Sequence, residues 1–121
     1  MRHTEGFLKI VDDAKTRVRE VDVGQTLERM KAGARLIDVR EDNEWARGRA
    51  RGASHMGRGV IERDIETEVP DHASELILYC GGGYRSALAA DNLQQMGYTN
   101  VYSLAGGWKA WKDAGAPTEG E

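Results

Sequence analysis

The stretch Leu76-Ile77-Leu78-Tyr79-Cys80-Gly81-Gly82-Gly83-Tyr84-Arg85-Ser86 carries the pattern on which the fold turns. Its first four residues are continuously apolar, as expected of a strand buried on both faces of a parallel sheet. A cysteine and three glycines follow, and then a helix is predicted from about Arg85 to Met96, rich in Ala and Leu and closed by Gly97. Glycines in that turn can take positive φ at little steric cost and place no side chain in the way of an anion. Successive N–H groups can then turn inward as a nest, and the start of the next helix aims its unpaired N–H groups at the same spot. Both effects favour a negatively charged sulfur at Cys80. The competing reading is a small buried hydrophobe beside a tight turn. The glycine triplet, Arg85 and the helix start together favour the reactive cysteine.

The same alternation extends outward in both directions. Phe7, Val11, Ala14 and Val18 recur at spacings of three and four, which predicts an amphipathic helix in segment 1–19, packed on the flank of the molecule. Strands are expected at Glu20–Val23, Arg35–Val39, near Ala53-Ser54, and at Val101–Leu104. Helices are expected at Thr26–Lys31, after Glu41-Asp42, at Val60–Glu68 and at Trp108–Ala114. Segment 116–121 reads as a polar tail that frays. This order implies an α/β fold over 20–115, with a parallel sheet of about five strands and helices on both faces. In such sheets ligands bind beyond the carboxyl ends of strands, where both Cys80 and Asp38 fall.

Composition bounds the function. The 121 residues suit one domain, with 40% hydrophobic and 31% charged residues. Lys and Arg number 17 against 20 Asp and Glu, a formal charge of −3 that argues against a nucleic-acid partner. Arg47, Arg49, Arg51 and Arg58 nonetheless crowd one segment, either as an anion-facing surface or as a solvated loop. A single cysteine forms no intrachain disulfide, and the longest apolar run, Leu76 to Cys80, is too short to span a bilayer. The expectation is a soluble cytoplasmic protein without a membrane partner. His3, His55 and His72 show no metal-ligand spacing, so no metal is expected.

Several motifs in order resemble the rhodanese family, over about Glu20 to Gly115. Leu36-Ile37-Asp38-Val39-Arg40 is similar to its D-V-R strand end. Glu44-Trp45, Gly48 and Gly52-Ala53 are similar to the segment that follows, and Met56 through Gly59 to the next short stretch. Cys80 to Arg85 resembles the active-site loop, and Leu104-Ala105-Gly106-Gly107-Trp108 with Trp111 resembles the closing signature. The resemblance implies a sulfurtransferase with no cofactor. Cys80 would take the outer sulfur of thiosulfate, a persulfide or a polysulfide and pass it to cyanide, a small thiol or a partner protein's thiol. Gly81, Gly82, Gly83, Tyr84 and Arg85 would form the cradle around the donor. Arg49-Ala50 departs from the His-Ile of many relatives, and the middle of the loop lacks basic side chains, which leaves a persulfide or polysulfide donor as plausible as thiosulfate.

Supporting roles are expected for Asp38, accepting from loop amides or capping a helix, and for Arg40, in an ion pair or on the donor's sulfonate. Arg58 and Arg85 are candidates for anion recognition. Trp45, Trp108 and Trp111 are expected in the core, and His55 is given no role. The rival enzyme is a cysteine phosphatase or arsenate reductase. Only four residues separate Cys80 from Arg85, however, and Ser86 stands where a tyrosine-phosphatase-type loop has its arginine. The other rival is a non-catalytic module of the same fold, which often lacks the cysteine or its glycines. Monomer and homodimer both remain open.

Overall fold

The computed structural model describes residues 3–120, so Met1 and Arg2 of the expected 1–19 segment and Glu121 of the tail lie outside the described residues. Within it, α1 (Glu5–Lys15) leads into β1 (Arg19–Val21), α2 (Val23–Lys31), β2 (Arg35–Asp38) and α3 (Asp42–Arg47). Two short strands follow, β3 (Arg49–Ala50) and β4 (Ser54–His55), and then α4 (Ile61–Glu68) and β5 (Leu76–Tyr79). The chain ends through α5 (Tyr84–Gln95), β6 (Val101–Leu104), α6 (Gly107–Asp113) and β7 (Thr118–Glu119).

A five-stranded, all-parallel sheet runs in the order β1-β6-β5-β2-β4, with β5 at its centre. Every residue of β5 is buried because its side chains feed two cores at once. Leu76 and Leu78 face α4 and α5 with Ile61, Ile65, Ala89 and Leu93, while Ile77 and Tyr79 face Val21, Leu36, Leu104 and Trp111 on the opposite side. Burying each of the three aliphatics contributes about 1.5–3 kcal/mol. Helix α1 packs on α5 through buried Val11 and Ala14, the flank position that its periodicity predicts.

Most boundaries shift by a residue or so from the sequence expectation, and two departures are larger. The first strand stops at Val21 because Asp22 caps a helix: its carboxylate accepts from the Gln25 amide at 2.7 Å, and the Gln25 side chain accepts from the Asp22 amide at 2.9 Å. This reciprocal capping box starts α2 at Val23, three residues ahead of the expected Thr26. The tail does not fray, since β7 pairs antiparallel with β3 and Trp111 Nε1 donates to the Pro117 carbonyl at 2.7 Å. No helix among the described residues is long and apolar enough to cross a membrane.

Candidate active site

Cys80 leaves the carboxyl end of the central strand and its side chain turns toward the start of α5. The Gly83 amide donates to Cys80 Sγ at 3.1 Å and the Ser86 amide at 3.3 Å. The Ser86 hydroxyl lies 3.5 Å from the sulfur and 2.7 Å from the hydroxyl of Ser103 on β6. Two amides therefore converge on the sulfur, although they are three residues apart rather than the successive N–H groups expected. The N–H groups of Gly81, Gly82, Tyr84 and Arg85 have no protein acceptor among the described residues, so they remain available to a second atom. Cys80 itself is 1% exposed. It is reached through a cavity of about 600 Å³ lined by His3, Phe7, Glu44, Cys80, Gly81, Gly82, Tyr84 and Arg85.

The three glycines do different work. Only Gly83 has positive φ, at +95°, and a Cβ there would lie 3.1 Å from the Gly106 amide nitrogen. Gly81 and Gly82 do not have positive φ, so backbone freedom accounts for Gly83 alone, while a Cβ on Gly81 would meet nothing within 4 Å and both glycines line the cavity. Gly107 explains the closing glycine pair. A Cβ there would collide with the Cys80 carbonyl, whose oxygen accepts from the Trp108 amide at 2.7 Å. The Lys109 amide donates to the Gly81 carbonyl at 3.2 Å, so the first turn of α6 clamps the cysteine loop from behind.

Of the supporting residues, Arg40 takes the ion pair expected as one of its two roles, whereas Asp38 takes neither of its expected roles. Asp38 neither caps a helix nor touches the cysteine loop. Its fully buried carboxylate accepts from the Arg40 amide and from the Arg40 guanidinium, with Nη2 at 2.8 Å, and from the Tyr79 hydroxyl at 2.6 Å. Arg40 also donates to the Gly48 carbonyl at 2.6 Å and stacks on Trp108 at 4.7 Å. Burial works against its charge, and the Asp38 carboxylate more than offsets this, holding the guanidinium above the ordinary arginine range. This pair ties the end of β2 to the Gly48 turn, and neither residue lines the Cys80 cavity.

Arg58 also stays away from that cavity, and its Nε is buried without a protein partner among the described residues. Arg47, Arg49 and Arg51 do not converge on Cys80 either: Arg49 lies over Trp45 and Arg51 faces Glu119. Arg85 does line the cavity, although its guanidinium is engaged by Glu44 at 3.4 Å and Glu41 at 3.6 Å. Tyr84 lines the cavity as well, half-buried. The three tryptophans stay out of the cavity, with Trp111 fully in the core. Sequence reasoning missed Ser86, Ser103, Glu44, His3 and Phe7 as neighbours of the site. Ser86 sits six residues after the cysteine on the first turn of α5, a spacing that could have marked it.

The sequence profile described as "Rhodanese-like domain" matches residues 22–114. A thiosulfate sulfurtransferase GlpE of Haemophilus influenzae (strain PittEE) is 31% identical over 102 residues, spanning 84% of this chain and 94% of that protein. Among solved structures, a polysulfide-sulfur transferase homodimer from Wolinella succinogenes superposes with a TM-score of 0.83 at 25% identity, over 96% of this chain and 88% of that one. A protein of unknown function from Rhodopseudomonas palustris CGA009, described as a possible tyrosine phosphatase, superposes at 0.81 with 29% identity over 98% of both chains. With the profile covering most of its length and the cysteine cradled at the centre of a parallel sheet, the chain belongs to the rhodanese-like domain family.

Proposed function

We propose that this chain is a sulfurtransferase in which Cys80 accepts the outer sulfur of thiosulfate, a persulfide or a polysulfide and hands it to cyanide or a thiol. The observation that carries this reading is the pair of amides, from Gly83 and Ser86, directed at one sulfur at the base of an open cavity. Hydrogen bonds to an ionised acceptor are roughly twice as strong as neutral ones, so the two amides are suited to holding the anionic sulfur in place as it attacks. When the sulfur is charged, the Ser86 hydroxyl donates to it and accepts in turn from Ser103.

The thiolate attacks the donor's outer sulfur, and an S–S bond forms on Cys80 as the bond to the leaving group breaks. With thiosulfate the leaving group is sulfite, which departs with the electron pair. The new terminal sulfur is anionic, and the loop amides without a protein acceptor would donate to it, as an oxyanion hole donates to developing charge. Cyanide or a thiol then attacks that terminal sulfur and returns Cys80 to the thiolate.

The likeness to a possible tyrosine phosphatase gives the rival reading its one specific support. Against it, the loop places four residues between Cys80 and Arg85, and Arg85 is held by two carboxylates that would repel a phosphoryl group. Intact-mass analysis after incubation with thiosulfate or polysulfide separates the readings. The expected result is one added sulfur atom on wild-type protein and none on Cys80→Ser. Cys80-dependent hydrolysis of an aryl phosphate, with no sulfur loading, would overturn it.

A further inference from the structure

We propose that His3 and Phe7, just ahead of and within α1, build one wall of the Cys80 cavity and that this wall selects donors whose transferable sulfur rides on an apolar group, such as organic persulfides and thiosulfonates, over the thiosulfate dianion. The inference rests on the sulfurtransferase reading and extends it to substrate class. Helix α1 lies ahead of residues 22–114, the span that the family profile covers, so the wall is an addition to that shared part.

The wall is aromatic. His3 and Phe7 line the cavity together with Tyr84 from the cysteine loop, with ring centroids 4.3 Å apart for His3 and Tyr84 and 6.2 Å apart for Phe7 and Tyr84. Phe7 is held in place because Val11 and Ala14, on the same helix, are buried against α5. A flat apolar group laid against these rings would gain burial and the edge or face contacts that aromatic pairs prefer.

Charge points the same way. Arg85 is the one arginine or lysine lining the cavity among the described residues, and it is already paired with Glu44 and Glu41. Glu44 is itself part of the lining. Lys15 sits 5.2 Å from the Tyr84 ring centre, and its ammonium pairs with Glu20 at 3.5 Å. Thiosulfate would bring two negative charges to a mouth whose cations, among the described residues, are committed. A thiosulfonate brings one, and its organic group would rest on the rings.

The reaction balances without an external oxidant. The Cys80 thiolate attacks the outer sulfur of R–SO₂–S⁻, the new S–S bond forms, and the bond to the sulfonyl sulfur breaks with its electron pair leaving on the sulfinate. With an organic persulfide the same attack releases the thiolate R–S⁻.

The test compares kcat/KM for sodium benzenethiosulfonate, sodium methanethiosulfonate and thiosulfate, with cyanide as acceptor, on wild type, Phe7→Ala and Phe7→Leu. Wild type should prefer the phenyl over the methyl donor by about tenfold or more, the scale set by burying a few carbons in an apolar pocket. In Phe7→Ala that ratio should fall at least about fivefold, with Phe7→Leu between the two. Equal rates for phenyl and methyl donors on wild type would overturn the inference and leave the sulfurtransferase reading standing, even if the variants failed to fold. So would an unchanged ratio in a Phe7→Ala protein with native far-UV circular dichroism. Absence of Cys80-bound sulfur with all three donors would overturn the underlying reading, and this inference with it.

Discussion

The Tyr79 hydroxyl is buried between two partners, donating to Asp38 at 2.6 Å and accepting from the Ala50 amide at 3.1 Å. Burial, reinforced by the Asp38 carboxylate, pushes its pKa well above the ordinary tyrosine value near 10. A group whose value rises on folding stabilises the native state fully below its unfolded value, and that contribution drains away as pH climbs toward the folded value. Tyr79→Phe should therefore cost about 1–3 kcal/mol at pH 8, because it leaves two buried polar groups short of a partner. The gap between wild type and variant should then shrink by up to about 1.4 kcal/mol per pH unit above pH 10. Urea unfolding at pH 8, 10 and 11 reads this directly, and a gap that held constant to pH 11 would refute it. The ion pair of Arg40 was legible beforehand, but the rest of the network was not, since Tyr79 and Ala50 reach Asp38 only through the pairing of β2 with β5 and the return of β3. Cys80 and its loop were legible because every part of the cradle lies within seven consecutive residues. Arg85 shows the limit of that: its place in the loop was clear, but Glu41 and Glu44, which claim its charge, arrive from another helix.

At the scale of elements, the junction between β5 and α5 decides both fold and site, and its glycines should respond to substitution in opposite ways. Gly83 is left-handed and pressed against the backbone at Gly106, so Gly83→Ala should cost about 1–3 kcal/mol through backbone strain and that close approach. Gly81 has ordinary φ and open space at its Cβ position, so Gly81→Ala should change stability by less than about 0.5 kcal/mol. Its methyl would still occupy the loop that lines the cavity, and sulfur loading should slow. Thermal denaturation paired with a loading rate distinguishes the two. A Gly81→Ala protein as unstable as Gly83→Ala would show that the triplet acts as one turn after all. The long elements were readable because periodicity accumulates over a helix, as in α1 and α5, and because β5 is apolar without interruption. The two-residue strands β3 and β7 were not, since two residues hold no period and β7 is exposed along its length. The start of α2 had a readable sign, Asp22 followed three residues later by Gln25, but the apolar Val21-x-Val23 drew the strand past it.

For the whole molecule, charge sets how a donor arrives. The chain carries a formal −3, and at the cavity mouth Glu41 and Glu44 bind the arginine that would otherwise attract an anion. A dianion approaching a net-negative protein is repelled over distances comparable to the Debye length, which falls from about 30 Å at 0.01 M salt to about 8 Å at 0.15 M. The rate at which thiosulfate loads Cys80 should therefore rise with salt, by about two- to fivefold across that range, as screening removes the repulsion. A monoanionic thiosulfonate should show a smaller rise under the same conditions, because its charge is halved while its apolar contacts are indifferent to salt. Stopped-flow or quenched measurement of persulfide formation in sodium chloride, with viscosity held constant, gives both slopes. A thiosulfate rate that fell with salt would mean that a local positive field dominates the approach. The basic run of Arg47, Arg49, Arg51 and Arg58 would then act on the donor from outside the cavity that none of the four lines.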